Sequence, residues 1–355
     1  MARSLKVGWL WMIVGLFCLM GAWRQGALGQ ERVTIRYSDA PFISGGAFYI
    51  AWKKGYFERL GLDIQFRSFP DGAFAVPPLV AGELDMVGLT PNAGLFNSIA
   101  RGLDVQFILD RGRERKGRSY VVINVSKALY DQGVKGLADF AKLKGKKIGV
   151  GALGSINQYT MALALEKAGL DPTKDVEWNI GASQPDIMKM LGRGIVDATN
   201  LAYQIGFAAQ KEGFGPIVAT SDEVAPDGQI AALVVTRSFL SKHREAVVHF
   251  AMAYIQGAKE FNRAAANPGQ FPEIVDILAK NTFLRTADLV KAIAPNWSYI
   301  EESGVPNRDS ILAMQDYWHG TFKLVKEKVP ADRLFDLSIA RDAAAHLARE
   351  KPFGP

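Results

Sequence analysis

The strongest constraint on this chain is that its order of elements occurs twice. In the first pass, a strand pattern over residues 34–37 is followed by a glycine turn at Gly45-Gly46. An apolar helix through Trp52 then closes at Gly61-Leu62-Asp63. A strand over 64–69, a Pro70-Asp71-Gly72-Ala73 turn and a helix ending at Gly82 lead through Gly82-Glu83-Leu84-Asp85 into a strand over 86–89. In the second pass, a strand over 147–150 meets a Gly154-Ser155 turn, and a helix closes at Gly169-Leu170-Asp171. A strand over 176–180, a helix opened by Ser183-Gln184-Pro185 and Gly194-Ile195-Val196-Asp197 then lead to Ala198-Thr199-Asn200. The Gly-x-x-Asp elements at Gly82 and Gly194 are 112 positions apart, and so are Asp63 and Asp175. Each pass is a β-α-β-α-β run, which predicts a mainly parallel sheet covered by helices. Two passes predict two similar lobes.

The strand patterns at 105–110 with 120–125, and at 230–236, are the natural crossings between lobes. Beyond residue 237 the spacing turns helical: Val247, Val248, Ala251, Tyr254, Ile255 and Ala258 share one face, as do Ile311, Leu312, Gln315, Trp318 and Phe322. This tail is expected to pack on the first lobe, with the stripe holding Tyr317 and Trp318 as core rather than ligand cage. The expected division is a signal peptide at 1–29, a first lobe at 30–118, a second lobe at 119–227, and a return to the first lobe at 228–355. The leader expectation rests on Arg3 and Lys6, an uncharged run over 7–23, and the small residues Ala27 and Gly29 before Gln30. The one cysteine, Cys18, falls inside that leader, so the exported chain would have no disulfide and no thiol chemistry. Removing Arg3, Lys6 and Arg24 takes the formal charge from +6 to +3, too mild for a nucleic-acid partner.

Open α/β sheets bind ligands beyond the carboxyl ends of their strands, where helix N-termini offer free N–H groups. Six turns occupy such places: Ser44-Gly45-Gly46, Asp71-Gly72-Ala73, Thr90-Pro91-Asn92, Gly154-Ser155-Ile156-Asn157, Ser183-Gln184 and Asn200. Facing lobes would bring them to one cleft suited to an anion. Each turn on its own is also an ordinary helix cap. The basic run 111–118 is either solvated surface or a source of a cleft cation, with Arg111 or Arg113 gripping a carboxylate or sulfonate bidentately.

Gly149-x-Gly151-x-x-Gly154 matches a dinucleotide fingerprint, but a lysine-rich lead-in precedes it and no acid ends the next strand. His243, His249, His319 and His346 all fall in the tail without metal-ligand spacing. No nucleophile elbow or phosphate-binding loop is present. The expectation is therefore a binding protein, not an enzyme, with no cofactor and no metal.

The run Ala51-Trp52-Lys53-Lys54-Gly55-Tyr56-Phe57 with Gly61-Leu62-Asp63 resembles the signature of ABC-transporter solute-binding proteins of the nitrate, sulfonate, taurine and thiamine-precursor group. Ala81-Gly82-Glu83-Leu84-Asp85, the 143–150 run Leu-Lys-Gly-Lys-Lys-Ile-Gly-Val with Gly154-Ser155, and Leu337-Ser338-Ile339-Ala340 are similar to further elements of that group. The resemblance implies a two-lobed, type II periplasmic-binding fold, one ligand between the lobes, and docking of a monomer on a permease of the inner membrane. It implies ligand contacts near Ser38, Phe48, Gly72, Ala73, Thr90, Asn92, Ser155 and Asn157, beside Gly154, Gln184 and Asn200 from the turns and Arg111 from the basic run. Where the sulfonate binders carry a Trp and an Asp-Pro-Tyr-like run, this chain has Ala198-Thr199-Asn200-Leu201-Ala202-Tyr203, which speaks against an aliphatic sulfonate. The cysteine cluster of the related pyrimidine-forming enzymes is absent. An exported enzyme or sensor on the same scaffold, or a pyrimidine-precursor binder, is the alternative.

Overall fold

The computed structural model describes residues 32–70 and 72–354. The leader expectation, with Cys18, lies outside them. From Val33 onward the described residues form one unit built on two five-stranded sheets.

The first half runs β1 (Val33–Asp39), α1 (Gly46–Lys53), β2 (Leu62–Ser68), α2 (Val76–Val80), β3 (Met86–Leu89), α3 (Ala93–Ala100) and β4 (Val105–Asp110). The chain then crosses to β5 (Val121–Val125). The second half repeats the pattern with β6 (Lys147–Val150), α4 (Ile156–Lys167), β7 (Glu177–Ile180), α5 (Gln184–Gly192), β8 (Ala198–Ala202), α6 (Tyr203–Lys211) and β9 (Ile217–Thr220), and returns as β10 (Ala232–Thr236). The sheet orders are β2-β1-β3-β10-β4 and β7-β6-β8-β5-β9. In each sheet one antiparallel strand, β10 or β5, is inserted between the third and fourth strands of a half. The duplication thus extends one strand further than its sequence pattern. Val105 and Ile217 open equivalent fourth strands 112 positions apart, so β4 belongs to the repeat rather than to the space between halves.

The strand residues explain the burial. Both β4 and β5 are buried throughout, as strands covered on both faces must be, and β5 is rich in β-branched residues (Val-Val-Ile-Asn-Val). Asn124 fits there because its amide donates to the carbonyls of Gly206 and Gly215, both at 3.0 Å.

The tail supplies α7 (Arg244–Ala266), α8 (Arg308–Gly320) and α9 (Ser338–Glu350). Helix α7 lies against α1 so closely that a Cβ on Gly257 would meet the Ala47 carbonyl oxygen at 2.2 Å. Glycine inside this 23-residue helix costs helix propensity but permits that crossing. Trp318 of α8 is fully buried with Ile311 and Met314. Tyr317 beside it does something else. Its hydroxyl donates to Glu166 of α4 at 2.8 Å, and its ring meets Tyr159 edge-on at 5.1 Å, so the tail helix also touches the second lobe. Among the described residues no helix is long and apolar enough to cross a membrane.

Candidate functional site: the cleft between the lobes

A cavity of about 40 Å³, counted as room for the centres of water molecules, lies between the strand tips of the two sheets. The first lobe contributes Ser44, Gly72, Leu89, Thr90 and Arg111; the second contributes Val121, Ile156, Asn157, Gln184 and Ala202. Two contacts join the lobes near it. The Ile43 N–H donates to Gln204 Oε1 at 3.1 Å, and the Ala93 N–H donates to the Gly154 carbonyl at 3.2 Å. The lobes are therefore closed on the cavity.

The floor of the cleft is a buried ion pair. Arg111 is 4% exposed and Asp39, the last residue of β1, is 1% exposed. The Arg111 Nε–H donates to Asp39 Oδ2 at 2.9 Å, and Nη2 donates to Asp39 Oδ1 and, at 3.3 Å, to the Ala40 carbonyl. Nη1 donates to Ser44 Oγ at 3.0 Å. Asp39 also accepts from Tyr37 Oη–H at 2.8 Å and from the Ala40 N–H at 2.7 Å. Burial alone would lower the Arg111 pKa; the Asp39 carboxylate more than offsets this and holds it above its ordinary value. Burial pushes Tyr37 well up, so the phenol keeps its proton and donates.

This arrangement corrects the bidentate role expected of Arg111. A guanidinium has five N–H groups, and four are taken by Asp39, Ala40 and Ser44. One Nη1–H is left without an acceptor among the described residues. Arg113 is not in the cleft: it pairs with Asp110 at 3.2 Å and donates to the Val305 carbonyl at 2.8 Å.

Of the residues expected to contact ligand, Gly72, Thr90, Arg111, Asn157 and Gln184 line the cavity. Asn157 is held by its amide, which donates to the backbone and side-chain oxygens of Asn200 at 3.0 and 3.1 Å. Asn200 is therefore behind the wall, and its own amide donates to Thr160 Oγ1. Gln184 is fixed by the Ala202 N–H donating to its Oε1 at 2.8 Å. Ala73 falls in the short turn Gly72–Ala75 that carries Gly72 to the cavity.

The other expected residues do not line the cavity. Phe48 lies in the core against Tyr37, Trp52, Phe57 and Phe66, because its position on α1 faces the sheet. Ser38 is fully buried in β1 and its hydroxyl has no partner. Asn92 and Ser155 are N-caps, accepting from the N–H groups of Leu95 and Gln158. Gly154 makes the interlobe contact instead of lining the cavity. Gly149 of the fingerprint is packed against Ile187 and Val196, which accounts for it without a nucleotide.

Asp39, Gln204 and the apolar wall residues Phe42, Leu89, Val121 and Ile230 were not singled out from the sequence. Asp39 carried one usable signal, an acid at the tip of the first strand where ligands are read.

The two crossings between the lobes are hydrogen-bonded to each other. Arg111 N–H donates to the Ala231 carbonyl at 3.0 Å, Ile230 N–H to Gly112 at 2.9 Å and Glu114 N–H to Gly228 at 2.9 Å. The Glu114 carboxylate is buried among donors from Ser119, Tyr120, Val121 and Ser221. Burial outweighs those donors and pushes its carboxyl up to about 7. A carboxyl raised in the folded state binds a proton that the unfolded chain has released, so its contribution to stability is lost as pH rises from about 4.5 to about 7. Glu114→Gln should therefore flatten the fall in stability between pH 5 and pH 8 by roughly 3 kcal/mol, measured by urea unfolding.

Comparison with known proteins places this geometry. The profile of the NMT1-like family matches residues 44–278, and the chain belongs to that family. A candidate binding protein of Brucella abortus is 28% identical over 232 residues, which is 65% of this chain and 66% of that protein, just under two thirds of its length. The periplasmic nitrate-binding protein of Synechocystis shares the fold with a TM-score of 0.73 at 13% identity, over 90% of both chains. The ligand-binding component of an ABC-type import system from Staphylococcus aureus does so at 0.70 and 15%, over 88% of this chain and 99% of its own. The fold is thus the two-lobed fold of periplasmic binding proteins.

Proposed function

We propose that this chain is the solute-capturing component of an ABC-type import system, exported to the periplasm, where it closes on one small molecule and presents it to a permease. The observation that carries this is the closed cavity between the strand tips of two duplicated sheets, reached by helix N-termini from both lobes. The names of its structural relatives, a nitrate binder and an import-system component, support the same role. Residues 30–118 with 228–355 and residues 119–227 are the two bodies that move in this reading.

The solute is a small organic monoanion, of which a short monocarboxylate is the simplest case. A cavity of about 40 Å³ holds on the order of three water-sized groups, so the ligand has few heavy atoms. Phe42, Leu89, Val121, Ile156 and Ile230 supply apolar walls, while the free Arg111 N–H, Ser44 and Thr90 supply the polar end. Closure is stabilised because the solute touches both lobes at once.

The test is calorimetry and thermal shift on the protein recovered from periplasmic extract, against monocarboxylates, sulfonates, nitrate, taurine and pyrimidines. The expected result is one site per chain, strongest for a small monoanion, with the solute recovered unchanged. Absence of binding across the panel, or steady product formation, would overturn the reading.

A further inference from the structure

We infer that Asp39 is a specificity-determining residue: by neutralising Arg111 it limits the cleft to solutes of a single negative charge. This rests on the solute reading above and deepens it.

The pair is built, not incidental. Asp39 has both oxygens engaged, by Arg111, Tyr37 and the Ala40 N–H. Glycines hold the room it occupies. A Cβ on Gly88 would lie 2.7 Å from Asp39 Oδ2 and 2.8 Å from Arg111 Nε, and one on Gly45 would lie 3.1 Å from Arg111 Nη2. Arg111 is the one charged side chain among the described residues lining the cavity, and Asp39 sits behind it rather than in the lining. The formal charge of the floor is therefore zero.

What remains for an anion is one guanidinium N–H and the partial positive charge of helix N-termini. Each of these is equivalent to roughly half a unit charge before its cap is counted. Asn92, Ser155 and Ser183 already cap α3, α4 and α5. That can compensate a monoanion. A second negative charge would enter a closed cleft with no further positive charge to balance it, which is costly at low dielectric. Replacing Asp39 by an isosteric amide leaves Arg111 in place and raises the floor by one unit charge.

The experiment compares methanesulfonate with sulfate, tetrahedral ions that differ by one charge, by calorimetry at one pH on the full exported chain. Wild-type protein is expected to prefer methanesulfonate. Asp39→Asn should shift the ratio of dissociation constants toward sulfate by about tenfold or more. The double variant D39N/R111Q removes both charges together and also serves if D39N does not fold. It restores a formal charge of zero, so its ratio should stay within a few-fold of wild type even though binding is weaker. If Arg111 alone set the preference, the double variant would instead turn about tenfold further from sulfate, and that result would overturn the inference. An unchanged ratio in folded D39N would overturn it as well. Wild-type protein that binds sulfate as tightly as methanesulfonate overturns the inference and leaves the solute reading standing, whereas wild-type protein that binds neither salt nor any monoanion of the panel above removes the monoanion reading itself, and this inference with it.

Discussion

Replacing Arg111 by methionine should lower the stability of the folded chain by about 3–5 kcal/mol, the scale expected when one partner of a buried ion pair is removed. The substitution keeps much of the side-chain volume, so the loss is electrostatic. Asp39 is 1% exposed and would retain only the Tyr37 hydroxyl and the Ala40 N–H. Part of the damage spreads to Ser44, whose Oγ accepts from Arg111 at 3.0 Å. Urea unfolding at neutral pH measures the effect. Removing Asp39 and Arg111 together should cost less than removing Arg111 alone, because no buried charge is then left unpaired. Equal losses for the single and double variants would show that the pair contributes packing only.

Substituting alanine for Gly154 should weaken solute binding by about ten- to a hundredfold while leaving the unliganded protein folded. Two features of this residue act on different states. Its φ of +70° is strained for alanine whether the lobes are open or closed, which lowers stability modestly. Its added Cβ would lie 2.5 Å from Ala93 Cβ across the cleft, a clash that exists only when the lobes meet. The second term penalises closure alone. It should appear as a raised Kd with the unliganded Tm lowered by a few degrees. Loss of the fold with undiminished affinity in the surviving fraction would place Gly154 in the lobe's stability rather than in closure.

The repeat was legible because its turns are carried by residue types with few substitutes, and Gly82 and Gly194 both hold left-handed backbone where a helix ends. Strand β9 escaped notice because it is four residues long, half-buried, and led in by Gly213 and Gly215. Its equivalence to β4 needs the sheet order to be seen.

At the site, the sequence placed turns at the right ends of the strands but could not say which residue of a turn faces inward. Thr90 lines the cavity while Asn92, two positions on, is occupied as a cap. Phe48 was expected near the ligand only through the family resemblance; its ring instead packs against Tyr37, Trp52, Phe57 and Phe66, neighbours no local pattern reveals. The largest gap was Asp39. The partner that occupies four-fifths of the Arg111 donors along with Ser44 and Ala40 lies 72 positions away, a distance no local pattern spans. Without it Arg111 reads as a free cation.

Closure of two lobes on a solute is most directly tested by a distance across the cleft. The chain has a single cysteine, Cys18, within the expected leader, so Phe74→Cys and Leu153→Cys can be spin-labelled as a pair on the exported protein. These side chains are 62% and 50% exposed, one on each lobe. With a bound solute the distance distribution should shorten and narrow relative to the solute-free protein. A distribution that stays the same while calorimetry shows the site filled would contradict the account.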